Sequence, residues 1–177
     1  MISLFSIFFF TLLYDFDLSY ASPLAPPQFP YMSPGVIQYL IFFINTLRNM
    51  PQRTEDWLKQ AKRDLEHARM DIKEGFYEWA CFSAQQASEK ALKALYQKMN
   101  ALAWGHSVRE LLQNLNGKFE IEHLMEGAKI LDKYYIPARY PNGFETGAPM
   151  EYFTLKEAKE AVEYADKIIR FCENNIS

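Results

Sequence analysis

From residue 54 onward, apolar positions recur every three or four residues in long stripes, the spacing of amphipathic helices. Leu58, Ala61, Leu65, Ala68 and Ile72 make a narrow 3-4-3-4 seam suited to antiparallel bundle packing. The pattern predicts a first helix from about Glu55 to Lys73. Thr54 is its expected N-cap, and Glu55 and Asp56 sit in the first turn, where the helix dipole favours acids. Gly75 is a suitable C′ residue to end it. The stretch from Gly75 to His106 then reads as one long helix, roughly 36 Å for about 24 residues. Its inner stripe is Ala80, Ala84, Ala87 and Ala91, then Leu95 and Met99, with Tyr77, Trp79 and Phe82 adding bulk near the start. Gln85, Glu89, Lys90, Lys93 and Gln97 form the predicted outer face, with Glu89 and Lys93 spaced for an i,i+4 pair.

After a turn at Trp104-Gly105-His106, Ser107 and Glu110 have capping-box spacing for a short helix from Val108 to Leu115, ended by Asn116 and Gly117. A further helix is predicted from about Phe119 to Tyr135, with Ile121, Leu124, Ala128 and Leu131 on one face. Thr154 and Glu157 make a second capping box, opening a last helix to about Glu173. Its inward positions are Leu155, Ala158, Val162, Ala165, Ile169 and Cys172. Between these two helices lies the loop from Ile136 to Phe153, long for a bundle and of the length that is usually functional or mobile. No strand pattern or internal repeat is present. The fold class is therefore all-α: an up-and-down four-helix bundle with one additional short helix.

The first fifty residues break the pattern. They hold only Asp15, Asp17 and Arg48 as charged groups, whereas the chain from Pro51 onward is dense in both signs. Met1 to Leu13 is apolar but stops short of the roughly 20 residues a membrane span needs, and it lacks the positive start of a secretory signal. A Pro-rich piece and a second short apolar run, Val36 to Ile44, follow. Two readings stand: a membrane-associating or partner-binding arm, or an over-extended reading frame with translation beginning at Met50 or Met32. The composition change at Met50 favours the second. The division is thus 1–50, an N-terminal extension, and 51–177, the helical domain. No membrane association is expected of the latter.

The 177 residues carry 19 basic and 22 acidic groups, a net charge of -3 without a basic run. The phosphate-driven affinity of a dedicated nucleic-acid binder is not announced. Cys81 and Cys172 lack framework spacing, which suits a reduced, cytoplasmic protein. His67, His106 and His123 form no H-x-x-x-H pattern, and Glu120 with His123 gives one copy only of the Glu-x-x-His pair that a di-iron bundle needs twice. No metal and no cofactor are expected. There is no Gly-rich phosphate loop, and the Asp15-Phe16-Asp17 carboxylate pair lacks the Gly-Ser loop that would make it a magnesium site.

The run GFYEWACFSAQQASEKALKALYQ, preceded by WLKQAKRDLEHAR and followed by WGHSVRELL and YYIPARYP, resembles the HEPN family of small helical domains over roughly Thr54 to Asn174. The resemblance implies a dimeric four-helix bundle with a nucleotide- or RNA-binding groove at the dimer interface. It also implies, for many members, a cognate minimal nucleotidyltransferase, in some pairs as toxin and antitoxin. The family's ribonuclease branch uses an Arg followed after four to six residues by a His, the arginine holding phosphate and the histidine taking the ribose 2′-OH proton. That motif is absent here. His123 is the last histidine, so nothing after Arg139 completes it; Arg109 is followed by Asn114, Leu115 and Asn116 at the relevant places; Arg63 and His67 have only three residues between them.

The candidate nucleotide-binding residues are Arg139, Tyr140, His106, Lys90 and Lys93. Arg139 offers a planar donor fork beside Tyr140, whose ring is able to stack on a base. His106 lies before a helix start, where a phosphate would meet free backbone N–H groups. Against these stand blander roles: Arg139 paired with a neighbouring carboxylate, His106 capping the short helix, both lysines merely solvated. The reading is a non-catalytic HEPN-type dimer binding a nucleotide or a nucleotidyltransferase. The alternatives are a divergent metal-independent ribonuclease using Arg139 and His106, or a plain helical interaction module. N-terminal sequencing of the natively expressed protein is expected to start at Met50; peptides from residues 1–30 would contradict the shorter frame.

Overall fold

The computed structural model describes residues 52–177, with Gly35 and Gln38 upstream. The apolar run Met1 to Leu13, the Asp15-Phe16-Asp17 pair, most of the run from Val36 to Ile44 and the Met50 start lie outside the described residues. Residues 52–177 fall within one folded unit. Its described helices are α1 (Thr54–Glu74), α2 (Tyr77–Lys98), α3 (Val108–Gln113), α4 (Glu122–Asp132) and α5 (Leu155–Ile176). The four longer ones make the up-and-down bundle, α3 is the short addition, and no strand occurs among the described residues.

α1 begins one residue earlier than its sequence suggests. Thr54 is the first helical residue, not the cap, and its hydroxyl is buried without a hydrogen-bond partner among the described residues. Long-range contacts place this start: the Arg53 N–H donates to Gln97 Oε1 at 2.9 Å, and Gln52 Nε2 donates to the Gln97 carbonyl at 3.1 Å. The start of α1 is thus tied to the end of α2, which fixes the two as antiparallel. Gly75 closes α1 at φ +83°, with Phe76 N–H on the Asp71 carbonyl and Gly75 N–H on that of Ile72, a Schellman cap.

α2 is the core of the bundle and touches each of the other four described helices. Between Ala80 and Tyr96 only Phe82, Gln86, Lys90 and Lys93 keep partial exposure. Gln85 and Glu89, which the periodicity puts on an outer face, are 0% and 4% exposed. The reason lies after the helix. α2 ends at Lys98 rather than running to His106, because Asn100 turns left-handed at φ 53° and the chain folds back along α2 to cover that side. The expected i,i+4 pair does form, Lys93 Nζ lying 2.8 Å from Glu89 Oε1.

α4 is shorter than its stripe, since the chain leaves the α-helix after Asp132 in a series of tight turns that runs to Tyr140. The loop from Ile136 to Phe153 holds two single-turn 3-10 segments, Pro141–Gly143 and Pro149–Glu151. It is stapled by Phe144 stacked on Tyr152, ring centres 4.1 Å apart, and by Tyr152 donating to the Thr146 carbonyl at 2.5 Å. α5 opens with the predicted box: Thr154 Oγ1 accepts from Glu157 N–H and the Glu157 carboxylate accepts from Thr154 N–H. Leu155 is exposed and Val162 half-buried, so its inner stripe is Ala158, Ala161, Ala165, Ile168, Ile169 and Cys172.

α4 meets α5 where Gly127 faces Tyr164. A β-carbon at Gly127 would lie 2.5 Å from Tyr164 Cδ1 and 2.9 Å from its Cβ, so the clash reaches the root of the side chain. Alanine would gain about 1 kcal/mol in helix propensity, but overpacking of this kind costs about 1–3 kcal/mol. Gly127→Ala is therefore expected to lower the midpoint of denaturant unfolding, and Tyr164→Ala in the same chain to recover part of the loss. An unchanged or raised midpoint in the single variant would contradict this packing.

Candidate functional site

Arg139 stands in the turns after α4, and its own sequence neighbourhood shapes its surroundings. Tyr135 is four residues before it, and the turn lets Arg139 Nε donate to the Tyr135 carbonyl at 2.8 Å. The guanidinium carbon lies 4.5 Å from the ring centres of both Phe82 and Tyr135 and 5.1 Å from that of Tyr140. Such stacking suits a weakly hydrated, planar cation. Its two Nη groups have no hydrogen-bond partner among the described residues. That sets it apart from the other described arginines: Arg53 pairs with Asp56, Arg63 with Glu66, Arg69 and Arg170 with Asp166, and Arg109 with Glu110. Arg139 pairs with no carboxylate among the described residues. An oriented, unneutralised fork of donors is matched chemically to a phosphate or a carboxylate.

His106 is brought to the same place by the chain that folds back along α2. Its ring stacks on Tyr135, centres 5.0 Å apart and 15° from parallel, so Tyr135 touches both His106 and Arg139. Its Nδ1 lies 3.1 Å from Glu89 Oε1, and its carbonyl accepts from Gln85 Nε2 at 2.8 Å. Lys93 joins through the same carboxylate, while its Nζ also lies 5.9 Å over the Trp57 ring. Tyr140 is half-exposed at the rim, and Trp79 meets Phe82 edge-on at 6.1 Å on the other side. Four of the five residues singled out from sequence, Arg139, Tyr140, His106 and Lys93, thus share one cluster. Lys90 does not: it pairs with Asp64 of α1.

One expectation about His106 is corrected. The N–H groups at the start of α3 are not free for a phosphate. Asp132, at the end of α4, accepts from Val108 N–H at 2.7 Å, from Arg109 N–H at 3.2 Å and from the Ser107 hydroxyl at 2.6 Å, while Ser107 Oγ accepts from Glu110 N–H. Ser107, not His106, is the cap, and Glu110 turns away to Arg109, so the predicted box is only half made. Phe82, Tyr135 and Glu89 were absent from the sequence candidates. Only Tyr135 carried a local signal, its i,i+4 spacing to Arg139; the other two come into the cluster through the path of the chain after α2.

The remaining clusters offer less. Between α1 and α5, Lys62 pairs with Glu173 and Arg69 with Asp166, so that groove's charges are internally matched. His67, Ser83 and Asp71 meet, but Ser83 Oγ and Asp71 Oδ2 share the same ring nitrogen, at 3.1 Å and 3.3 Å. A nucleophile–base–acid relay needs the two ring nitrogens to serve different partners. Burial holds the Asp71 carboxyl above its usual range, opposed by the His67 charge and the Ser83 hydroxyl. Burial pushes the Cys81 thiol up to about 12, with Glu157 and Glu78 adding, and raises Cys172 as well; neither is a ready nucleophile. No three His, Cys, Asp or Glu side chains converge as metal ligands among the described residues, and no described helix is long and apolar enough to cross a membrane.

Comparison with known proteins gives a consistent result. The HEPN domain family model matches residues 54–175. A Methanocaldococcus jannaschii protein named "Putative toxin MJ1304" is 26% identical over 123 residues, 64% of this chain and 81% of that protein. TT1696 from Thermus thermophilus is 46% identical with a TM-score of 0.68, over 71% of this chain and 99% of that one. ST0689, described as an archaeal HEPN homologue, is 42% identical with a TM-score of 0.62, over 72% and 100%. A HEPN domain protein from Thermotoga maritima is 48% identical with a TM-score of 0.56, over 67% and 95%.

Proposed function

This chain belongs to the HEPN domain family, and from that premise we propose that it is a non-catalytic, nucleotide-binding module. It acts as a homodimer in the cytoplasm alongside a cognate minimal nucleotidyltransferase, as one component of a toxin–antitoxin pair. The observation that carries the binding role is Arg139: a guanidinium stacked among three rings, with its Nη groups unpaired among the described residues. Phosphate is the anion that a nucleotide offers to such a fork, and the half-exposed Tyr140 ring beside it offers a stacking surface for the base. The toxin–antitoxin assignment draws on the M. jannaschii relative, whose name carries the word toxin. The non-catalytic assignment draws on the missing Arg-x4–6-His spacing.

A second reading has one observation in its favour. A carboxylate on His106 Nδ1 leaves Nε2 as the nitrogen able to take a proton, the arrangement of an oriented general base. With Arg139 across Tyr135, this describes a divergent metal-independent ribonuclease. The missing family spacing ranks it below the binding role.

Calorimetry with ATP separates these readings from a plain interaction module. The wild-type domain is expected to bind, and Arg139→Ala to bind at least about tenfold more weakly, the scale of one lost charge-assisted contact. No heat at millimolar ATP would contradict nucleotide binding. Incubation with RNA is expected to leave the RNA intact. Cleavage by the wild type that disappears in Arg139→Ala would establish the enzyme instead, and cleavage that survives the substitution would mark a contaminant.

A further inference from the structure

Glu89 is a charged group inside the most buried helix of the bundle, and among the described residues every group that hydrogen-bonds to it belongs to α2 or to His106. Its side chain is 5% exposed. Oε1 receives Lys93 Nζ at 2.8 Å and His106 Nδ1 at 3.1 Å; Oε2 receives Gln86 Nε2 at 3.2 Å and lies 3.3 Å from the same histidine nitrogen. Gln86 also donates to Gln85 Oε1 at 2.8 Å, and Gln85 in turn holds the His106 carbonyl. One consecutive stretch of α2 therefore grips His106 by its ring edge and by its backbone.

An ionised carboxylate only accepts, so the nitrogen facing it carries the hydrogen. Nδ1 is thereby occupied, the ring face is stacked on Tyr135, and the Nε2 edge remains. The His106 side chain is 58% exposed. A buried carboxylate gripping an exposed imidazole is the arrangement by which a neighbour fixes a histidine's tautomer and aim.

Building on the nucleotide-binding role of this site, we propose that Glu89 is its positioning residue, holding His106 with the hydrogen on Nδ1 and Nε2 turned toward the ligand that Arg139 holds. Glu89 touches no ligand itself; it acts through His106.

Two measurements test this. In the free protein, at a pH where His106 is neutral, long-range ¹⁵N NMR is expected to show the hydrogen on Nδ1 in the wild type and a shift toward the Nε2–H form in Glu89→Met. Hydrogen mainly on Nε2 in the wild type, or a tautomer unchanged by the substitution, overturns the proposal. Should Glu89→Met fail to fold, the wild-type spectrum still decides. In ATP titrations, Glu89→Met is expected to weaken binding about tenfold, as His106→Ala does, with the double variant no weaker than His106→Ala alone. Losses that add would show that Glu89 acts independently of His106 and overturn the proposal. A wild type that binds no ATP removes the nucleotide-binding role, and the tautomer result then decides the positioning of His106 by itself.

Discussion

A helix enclosed along most of its surface must find a partner for each polar group it buries, and α2 is such a helix. Its alanines and serines let neighbouring helices approach closely, but they leave Gln85 and Glu89 enclosed with them. A buried carboxylate without partners is costly enough to unfold a small domain, whereas one with several donors is tolerated. The donors come from Lys93 and Gln86 on the same helix and from His106 on the returning chain. The left-handed residue Asn100 ends α2 where that return becomes possible. The path of residues 99–107 and the satisfaction of Glu89 are thus one requirement seen from two ends.

The same requirement builds the candidate site. Once His106 is held at Glu89, one face of its ring stacks on Tyr135. Tyr135 in turn supplies both a ring and a carbonyl to Arg139, completing a short chain of contacts from the buried carboxylate to the half-buried cation. Charge is handled oppositely at its two ends. Glu89 is surrounded by donors, while Arg139 is surrounded by rings and meets no acid among the described residues. Cations stacked on aromatic faces keep their hydrogen-bonding edge available, which distinguishes Arg139 from the five described arginines held in ion pairs. Those pairs lie on exposed helix faces, where such contacts contribute little to stability.

Much of the fold was legible in the sequence because it is local. The seam of α1, the Gly75 terminus and the Thr154–Glu157 box depend on residues three or four apart, and the structure contains all of them. The features that depart from the local pattern depend on distant partners. Thr54 lost the cap position because Gln52 and Arg53 are tied to Gln97 across the bundle. Gln85 and Glu89 sat at outward positions by periodicity, which is blind to a loop that returns to cover them. The start of α3 looked free because its cap, Asp132, arrives from 24 residues away in the chain. In the site, Arg139 and Tyr140 were legible from a Pro-flanked turn and His106 from its place before a helix. Phe82 and Glu89 were not, since nothing at their own positions separates a site residue from core or solvated surface.

The nucleotide-binding proposal depends on the edge of Arg139, unpaired among the described residues, meeting an anionic ligand. A crystal structure of the protein grown with ATP tests that dependence most directly. Phosphate oxygens are expected within about 3 Å of the Arg139 Nη atoms, with His106 Nε2 turned to the same ligand. A structure in which those Nη atoms are bound to a carboxylate, or in which the nucleotide sits away from the Phe82–Tyr135–Tyr140 cluster, would contradict it.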